Sequence, residues 1–208
     1  MFEFAELRCE YQGRVVLDLP SLSLNPNGRY GLIGENGAGK TTLLNLVTTQ
    51  LQVRLPRGSV GFLPQKPYAF SLKVRDSLAL GIPEDLKLSR DEINELVTRQ
   101  LAAFDLTALA GKRADRLSGG ESQRLALARL LIVPRQVLLL DEPGNHLDRE
   151  SLKKMEVILR SYLEQNPCLM ILTTHQMNLA DQLVDTVMVL EQGQMVFNGP
   201  PHTWQKGS

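Results

Sequence analysis

A glycine-rich octapeptide over residues 34–41 carries the strongest chemical signal in the sequence. It reads Gly-Glu-Asn-Gly-Ala-Gly-Lys-Thr, which fits the pattern G-x-x-x-x-G-K-[ST] at every fixed position. Glycines let successive backbone N–H groups turn inward on an anion, and a helix N-terminus adds partial positive charge. The lysine can reach the β- and γ-phosphates, and the threonine hydroxyl can ligate Mg²⁺. The motif predicts a nucleoside triphosphate site formed by Gly34, Glu35, Asn36, Gly37, Ala38, Gly39, Lys40, Thr41 and Thr42.

Two adjacent acids at the end of an apolar run supply complementary chemistry. Asp141 and Glu142 follow Val137-Leu138-Leu139-Leu140 and precede Pro143. An acid at the carboxyl end of a buried strand lies where the ligands of open α/β folds bind. We therefore expect Asp141 to hold Mg²⁺ directly or through water. Glu142, one residue further on and just off the strand, is placed to polarise an attacking water as a general base.

A third motif, Leu117-Ser118-Gly119-Gly120-Glu121, predicts a second anion site. Ser118 and Glu121 have the spacing of a capping box at a helix start. Gly119 and Gly120 would expose backbone N–H groups at the same place. One chain needs only one cradle for a γ-phosphate, so we expect the second one to serve the nucleotide of a partner chain.

Short apolar segments that alternate with helical ones must position these motifs. The pattern predicts short strands over 2–7, 15–17, 22–24 and 29–33, with the phosphate loop leading from the last of them into a helix over 41–51. Further strands are expected over 60–63, 137–140 and 168–173, helices over 89–104, 118–133 and 149–165, and a hairpin over 186–197. Apolar strands alternating with helices indicate a mainly parallel, buried sheet. A helical insertion interrupts it.

The composition is that of an ordinary globular domain without a charge bias. Of 208 residues, 43% are hydrophobic, and Lys+Arg and Asp+Glu both number 23, which argues against a general nucleic-acid binder. The longest apolar run, Cys168–Leu172, is far shorter than the ~20 residues that span a bilayer. The acidic start, Met1–Glu6, lacks the pattern of a secretory signal. Cys9 and Cys168 are isolated, which favours a reducing compartment over a disulfide framework or a metal site.

Six features in this chain order resemble the nucleotide-binding domain of ABC ATPases. They are the phosphate loop, Gln65, Leu117–Glu121, the Asp141-Glu142 pair, Asn145-His146-Leu147-Asp148 and His175. The resemblance runs from about Phe4 to Pro200 and implies an α/β P-loop NTPase fold in a single nucleotide-binding domain over residues 1–208. That fold has a mainly parallel sheet core, a small antiparallel β subdomain and a helical signature subdomain, inserted here at roughly residues 67–133. The resemblance also implies a head-to-tail dimer with two ATP molecules sandwiched between the subunits.

The resemblance assigns roles to individual residues. Tyr11 matches the aromatic residue that stacks on adenine, and Gln65 matches the glutamine that contacts Mg²⁺ and the attacking water. His175 matches a histidine that contacts the γ-phosphate, and Asp148 matches a loop aspartate that couples the two sites of the dimer. The expected catalytic residues are thus Glu142, His175 and Gln65, the expected magnesium ligands are Thr41, Gln65 and Asp141, and the expected contacts to the partner's nucleotide are Ser118, Gly119 and Gly120.

Two features depart from the family's pattern. Gly144 stands where the family often has Thr or Ser, in the loop after Glu142. The stretch between Lys40 and Gln65 is also short, because family members commonly carry an additional hairpin of the antiparallel subdomain there. We therefore expect a trimmed antiparallel subdomain.

Two branches of the family fit the motifs. The leading hypothesis is the ATP-binding and ATP-hydrolysing subunit of an ABC transporter, with ATP and Mg²⁺ as cofactors and membrane subunits on separate chains. The alternative is a soluble ABC protein of the translation-factor branch, where Asn145–Asp148 and the short link from Lys40 to Gln65 are common. That branch carries two ATPase domains in one chain, whereas this chain shows one and has no basic surplus. A DNA-repair ATPase is disfavoured because no long coiled-coil heptads interrupt the domain.

The leading hypothesis implies a set of partners and a location. The expected partners are a second copy of the chain, integral membrane permease subunits and, as a further candidate, a solute-binding protein, with no nucleic acid. The expected docking surface is the helical insertion together with the loop after Gln65, where Tyr68, Phe70 and Leu72 lie near Lys73 and Arg75. The expected location is cytoplasmic, peripheral on the inner face of the cell membrane.

Overall fold

The computed structural model describes residues 1–174 and 182–204, which divide into two compact units. Unit 1 comprises Met1–Phe62, Gln136–Glu142 and Pro167–Ser208, and unit 2 comprises Leu63–Arg135 and Pro143–Asn166. The strands are β1 (Phe2–Tyr11), β2 (Arg14–Leu24), β3 (Arg29–Ile33), β4 (Val60–Leu63), β5 (Val137–Asp141), β6 (Leu169–Thr173), β7 (Thr186–Glu191) and β8 (Gln194–Gly199). The α-helices are α1 (Lys40–Arg54), α2 (Val74–Ala79), α3 (Arg90–Ala103), α4 (Gly119–Leu130) and α5 (Arg149–Gln165).

A six-stranded sheet in the order β4-β5-β6-β3-β7-β8 forms the centre of the fold. The pairs β3–β6, β3–β7 and β5–β6 are parallel, and β7–β8 is antiparallel. Every residue of β5 and β6 is buried, as expected for central parallel strands, which read as continuous apolar runs. The predicted mainly parallel sheet in an α/β fold is therefore confirmed.

The N-terminal region forms one long hairpin, and the prediction of several short strands there was wrong. β1 and β2 pair antiparallel, with Phe2 opposite Leu24 at one end and Tyr11 opposite Arg14 at the other. Gln12 and Gly13 join them with φ values of 51° and 78°, the left-handed pair that a tight two-residue hairpin turn requires. Only one face of this hairpin is buried, and the alternation expected of such a strand is interrupted at Glu6, whose φ is 52°, so the buried Phe4 and Leu7 lie three residues apart. β1 and β2 form a separate two-stranded sheet, and no other strand of the described residues joins it. The predicted trimming of the antiparallel subdomain is therefore confirmed.

Helix α1 is anchored in the hydrophobic core of unit 1. Its side chains Leu43, Leu44, Val47 and Leu51 are fully buried and belong to one core cluster with residues of β1, β2, β3, β5 and β6. Burying one such side chain contributes roughly 1.5–3 kcal/mol. This packing fixes the first turn of α1, and therefore Lys40, against the sheet.

Three helices of unit 2, α3, α4 and α5, begin with side-chain caps, whereas α2 begins without one. Helices α3 and α4 start with complete capping boxes, Ser89 with Glu92 and Ser118 with Glu121, as predicted. Helix α4 ends at Leu130, three residues before the predicted end at Val133, because the backbone at Leu131 (φ −94°, ψ 8°) has left the helical region. The caps fix where each helix starts, and so fix the position of the Ser118 motif within unit 2.

The hairpin β7–β8 supports the phosphate loop. Its turn, Gln192 and Gly193, has φ values of 49° and 81°, again a tight turn as predicted. The Gly193 N–H donates to the Ala38 carbonyl at 3.1 Å, and the Asp18 N–H donates to the Gly193 carbonyl at 2.9 Å. The turn therefore joins the loop to β2. Within residues 1–174 and 182–204, no helix combines the length and apolarity needed to cross a bilayer.

Candidate functional site

Lys40 is held inside the glycine-rich loop between β3 and α1. Its side chain is buried, and its ammonium donates to the carbonyl oxygens of Gly34 at 2.8 Å and Glu35 at 3.0 Å. These bonds orient the positive charge toward the interior of the loop. An anion that enters the loop would meet an ammonium already in position.

The N-terminus of α1 differs from those of α3, α4 and α5. Gly39 precedes it without a side-chain cap, and its first turn contains no acidic residue. By contrast, α3, α4 and α5 are capped by Ser89, Ser118 and Asp148. The first N–H groups of a helix have no acceptor within the helix and carry partial positive charge. The start of α1 can therefore donate to a phosphate.

Two glycines of the loop are required by close backbone approaches. A Cβ on Gly34 (φ 158°) would lie 2.4 Å from the Leu190 carbonyl oxygen, and one on Gly39 (φ 103°) would lie 2.9 Å from that of Val16. Real Cβ atoms do not approach backbone oxygens at 2.4 Å. The loop can pack against β7 and β2 only without side chains at these positions.

Replacing Gly34 with alanine should therefore destabilise the protein more than the same change at Gly37. Gly37 also has a positive φ, 83°, but its Cβ would meet nothing within 4 Å. The pair thus separates steric overlap from backbone strain, and the overlap should cost about 1–3 kcal/mol more. The midpoint of urea unfolding measures the difference. Equal midpoints for Gly34→Ala and Gly37→Ala would contradict the packing described.

Asp141 lies at the carboxyl end of β5, opposite Thr173 of β6. The Thr41 hydroxyl donates to Asp141 Oδ2 at 2.7 Å, and the Thr173 hydroxyl donates to Oδ1 at 2.6 Å. The Asp141 side chain is almost completely buried. A carboxylate and a hydroxyl beside the phosphate loop form an all-oxygen donor set.

That donor set fits Mg²⁺ bound together with a phosphate. Within the described residues, no group of three His, Cys, Asp or Glu side chains could hold a metal ion by itself. Mg²⁺ characteristically uses one or two carboxylates plus substrate phosphates and waters. The Thr41–Asp141 pair meets this requirement.

Glu142 has a strained backbone that its neighbours hold in place. Its φ is 51°, a left-handed conformation that costs a residue with a side chain about 1–3 kcal/mol and is typical of functional sites. Its N–H donates to the carbonyl and the hydroxyl oxygen of Thr173, at 3.2 and 2.9 Å. The carboxylate-bearing residue therefore turns sharply off the strand, as expected for an acid placed to act beside Asp141.

The Ser118 motif forms a tight cap at the start of α4 in unit 2. The Ser118 N–H donates to Glu121 Oε2 at 2.8 Å, and the Glu121 N–H donates to Ser118 Oγ at 3.3 Å. The first of these bonds holds the pKa of the Glu121 carboxyl below its ordinary value. The cap thus involves the third N–H of the helix, and Gly119 and Gly120 supply the two before it.

The loop over residues 143–148 packs on the same helix start. A Cβ on Gly120 would lie 3.0 Å from the His146 carbonyl oxygen, and one on Gly119 would lie 3.5 Å from His146 Cβ. At the end of this loop, Asp148 Oδ1 accepts from the Ser151 N–H at 2.8 Å, which lowers the pKa of Asp148. Asp148 is therefore the N-cap of α5.

The sequence matches a known family over more than half of its length. Residues 17–145 fit the family model described as ABC transporter. The chain belongs to this family. A putative ABC transporter ATP-binding protein of Brucella suis is 37% identical over 203 residues, covering 88% of this chain and 83% of the relative. The nickel import ATP-binding protein NikO of Rhodobacter capsulatus is 34% identical over 226 residues, covering 96% and 89%.

A solved structure of low sequence identity shows the same fold. An ATP-binding cassette, determined as a dimer in a post-hydrolysis state with ADP and phosphate, superposes with a TM-score of 0.83 at 20% identity. The alignment covers 96% of this chain and 97% of that one. The predicted ABC ATPase fold is confirmed. The family match and the relatives show an ATP-binding, ATP-hydrolysing subunit of an ABC transporter, which favours this hypothesis over the translation-factor alternative.

The predicted site residues of this ABC ATPase are distributed over both units. Unit 1 brings the phosphate loop, Asp141 and Glu142 together, and it carries Tyr11 at the end of β1 with 69% of its side chain exposed. Unit 2 carries the Ser118 motif, Asp148 and Gln65, which is exposed. His175 lies outside the described residues.

Sequence reasoning missed two residues that shape the site of the ABC ATPase. Thr173 holds Asp141 and Glu142, and the signal for it was its position at the end of a strand adjacent to that of Asp141. Gln123 is buried in α4, and its amide donates to the Pro143 carbonyl at 3.0 Å. The signal for Gln123 was its place four residues before Leu127, on the apolar face of a predicted helix.

Proposed function

We propose that this subunit binds Mg²⁺·ATP on the Lys40 loop, hydrolyses it with Glu142 as the general base, and completes each site with the Ser118 motif of a second copy. The observation that carries the proposal is the arrangement in unit 1. Lys40, the uncapped start of α1, and the Thr41–Asp141 pair converge at the carboxyl end of the sheet. Ligands of open α/β folds bind at this edge.

The loop residues would stabilise the negative charge of the phosphates. The Lys40 ammonium would exchange its carbonyl acceptors for β- and γ-phosphate oxygens, and the backbone N–H groups of residues 34–42 would surround the anion. The buried position of Lys40 excludes much of the solvent that would screen its charge. These groups would stabilise charge that develops on the transferred phosphoryl group.

Thr41 and Asp141 would hold the Mg²⁺ ion, with Gln65 of unit 2 as the third predicted ligand. The ion would supply charge neutralisation at the phosphates. In this chain, the Thr173 hydroxyl at 2.6 Å keeps one Asp141 oxygen engaged. The other oxygen accepts a hydrogen bond from the Thr41 hydroxyl, so the carboxylate faces the loop.

Glu142 would accept the proton of the attacking water. Its backbone turn directs it off β5, and Thr173 holds its N–H. Gln65 and His175 are proposed to orient the water and contact the γ-phosphate, on the family resemblance alone. Tyr11 is proposed to stack on adenine, and its exposed ring is available for that contact.

The Ser118 motif would bind the γ-phosphate of the partner's nucleotide. Its cap leaves the first N–H groups of α4, at Gly119 and Gly120, directed out of an exposed helix start. Those N–H groups and the helix dipole favour an anion. Asp148 is proposed to act in the same loop region as the residue that couples the two sites.

Replacing Ser118 with arginine should separate binding from hydrolysis. One chain alone should bind ATP almost normally, because its own phosphate loop is intact. Hydrolysis should fall about 100-fold or more, because a bulky cation occupies the place of the partner's γ-phosphate and disturbs the preorganised N–H donors. Ser89→Arg is the matched control, because Ser89 caps α3 with the same box geometry. Both are measured by equilibrium binding of labelled ATP and by steady-state turnover. If Ser118→Arg instead abolishes ATP binding by the isolated chain, the motif serves its own chain's site.

The partners on the membrane side are proposed from the surface of unit 2. Tyr68 is 71% exposed, and its ring meets Phe70 edge-on with ring centres 4.8 Å apart. Exposed aromatic residues are enriched at protein interfaces. We assign this patch to permease subunits, with the chain peripheral on the cytoplasmic face of the membrane and a solute-binding protein as a further partner.

Tyr68→Asp should therefore weaken copurification with the permease while leaving the basal ATPase rate unchanged. A charge placed on an apolar contact surface disfavours burial of that surface. The measurement is the amount of tagged subunit recovered with solubilised permease. Full recovery with the variant would move the docking surface elsewhere.

A further inference from the structure

The residue that follows Glu142, Pro143, is held at its carbonyl by a buried glutamine of α4. The Gln123 amide nitrogen donates to the Pro143 carbonyl at 3.0 Å, and the Gln123 side chain is 1% exposed. Pro143 directly follows Glu142, whose φ is 51°. A residue before proline normally avoids helical conformations and prefers extended ones. The strained Glu142 backbone therefore requires restraint on both sides.

The restraint on the first side comes from Thr173, whose two oxygens accept the Glu142 N–H. The restraint on the second side comes from Gln123. A strained backbone persists only when its surroundings over-determine it. Removal of either contact should therefore allow the peptide to relax and the Glu142 side chain to move.

Gln123 is a costly residue for packing alone. Its Oε1 is buried and has no hydrogen-bond partner among the described residues, and an unpaired buried oxygen is unfavourable. A leucine or methionine would fill the same space without that cost. The amide orientation follows from its partner, since only the NH₂ group can donate to a carbonyl. The hydrogen bond to Pro143 is thus what the amide contributes.

Helix α4 also holds the far end of the loop that starts at Pro143. Arg124 Nη1 lies 3.4 Å from the Ser151 hydroxyl, and Ser151 is the residue whose N–H is accepted by Asp148. Neighbouring residues of one helix therefore anchor both ends of the segment 143–151. The same helix begins with the Ser118 motif.

We propose that Gln123 is a positioning residue for Glu142. By holding the Pro143 carbonyl, it keeps the Glu142 side chain where it can accept the proton of the water that attacks the γ-phosphate. This inference rests on the proposed role of Glu142. In this proposal Gln123 acts through the Glu142–Pro143 backbone and not by contact with the reacting groups.

The test compares Gln123→Met with Gln100→Met in steady-state ATP hydrolysis by the full chain. Methionine keeps the length of the side chain and removes the donor. Gln100 is the matched control, because its amide also makes a side-chain bond to a backbone carbonyl, that of Ala128 at 2.8 Å. We expect Gln123→Met to lower kcat about 10- to 100-fold, as a small displacement of a catalytic group does, with KM for ATP within about twofold. Gln100→Met should leave kcat within about twofold of the wild type.

A second variant covers failure of the first to fold. Gln123→Leu fills the same space without a donor, so it should show the same loss of kcat at unchanged KM. Thermal melting of each variant identifies those that fold. A folded Gln123 variant with wild-type kcat overturns the proposal, as does a kcat loss of equal size in Gln100→Met.

Single-turnover rates in a Glu142→Gln background identify the route. If Gln123 acts through Glu142, adding Gln123→Met to Glu142→Gln should slow the reaction by less than about twofold further. An additional 10-fold loss would mean that Gln123 acts elsewhere and would overturn the proposal. Rapid hydrolysis by Glu142→Gln alone would remove Glu142 as the base, and this inference with it. A slow Glu142→Gln beside an unimpaired Gln123→Met would overturn this inference alone.

Discussion

Replacing Glu142 with glutamine should lower ATP turnover by about 10²–10⁴-fold, the usual contribution of a general base. Glutamine keeps the shape of the side chain and much of its hydrogen bonding, so the strained turn at φ 51° should survive. ATP affinity should stay within about twofold, because the phosphate loop is unchanged. Bound ATP should then accumulate in a dimer of two chains.

Steady-state phosphate release and size-exclusion chromatography with ATP measure these two effects. Glu150→Gln is a suitable control, because Glu150 is an exposed acid in the first turn of α5. It should hydrolyse ATP at the wild-type rate. Unimpaired turnover by Glu142→Gln would place the base elsewhere, and His175 would be the next residue to substitute.

Replacing Lys40 with alanine should abolish nucleotide binding. Each charge-assisted hydrogen bond contributes about 1.5–3 kcal/mol, so loss of two contacts to phosphate oxygens weakens binding by about 10²–10⁴-fold. The Lys40 ammonium is the buried cation at the loop, and its position is set by the Gly34 and Glu35 carbonyls. Equilibrium binding of a labelled ATP analogue measures the loss.

The fold should survive this change, because the core contacts of α1 are made by Leu43, Leu44 and Val47, which the substitution leaves in place. Thermal melting should show Lys40→Ala folded. Lys153→Ala, at an exposed position of α5, should leave both affinity and melting unchanged. Affinity near that of the wild type in Lys40→Ala would refute the site assignment.

The phosphate site could be predicted because the residues that form it are close together in the sequence. The loop from Gly34 to Thr41 needs only glycines, a strand before it and a helix after it, all of which the sequence shows within 26 residues, 29–54. The capping boxes of α3 and α4 were predictable for the same reason, since both partners lie three residues apart. Local patterns of this kind do not depend on the rest of the fold.

Contacts between distant segments could not be predicted in the same way. The pairing of Thr173 with Asp141 depends on the register of β5 and β6, and the bond from Gln123 to Pro143 depends on how α4 packs within unit 2. The length of the β1–β2 hairpin was missed because its turn, Gln12-Gly13, is a weaker signal than Asn-Gly or Asp-Gly. The strain at Glu142 is also invisible in the sequence, since proline after it favours an extended conformation.

In the proposed dimer, one working site combines the Lys40 loop of one chain with the Ser118 motif of another. Mixing two inactive variants tests this arrangement most directly. Lys40→Ala and Ser118→Arg should each hydrolyse ATP poorly alone. In a mixed head-to-tail dimer, one site receives both defects and the other receives neither. An equal mixture should recover up to about a quarter of the wild-type rate, since about half of randomly formed dimers are mixed and each has one intact site of two. A mixture no more active than its two components would contradict the composite site.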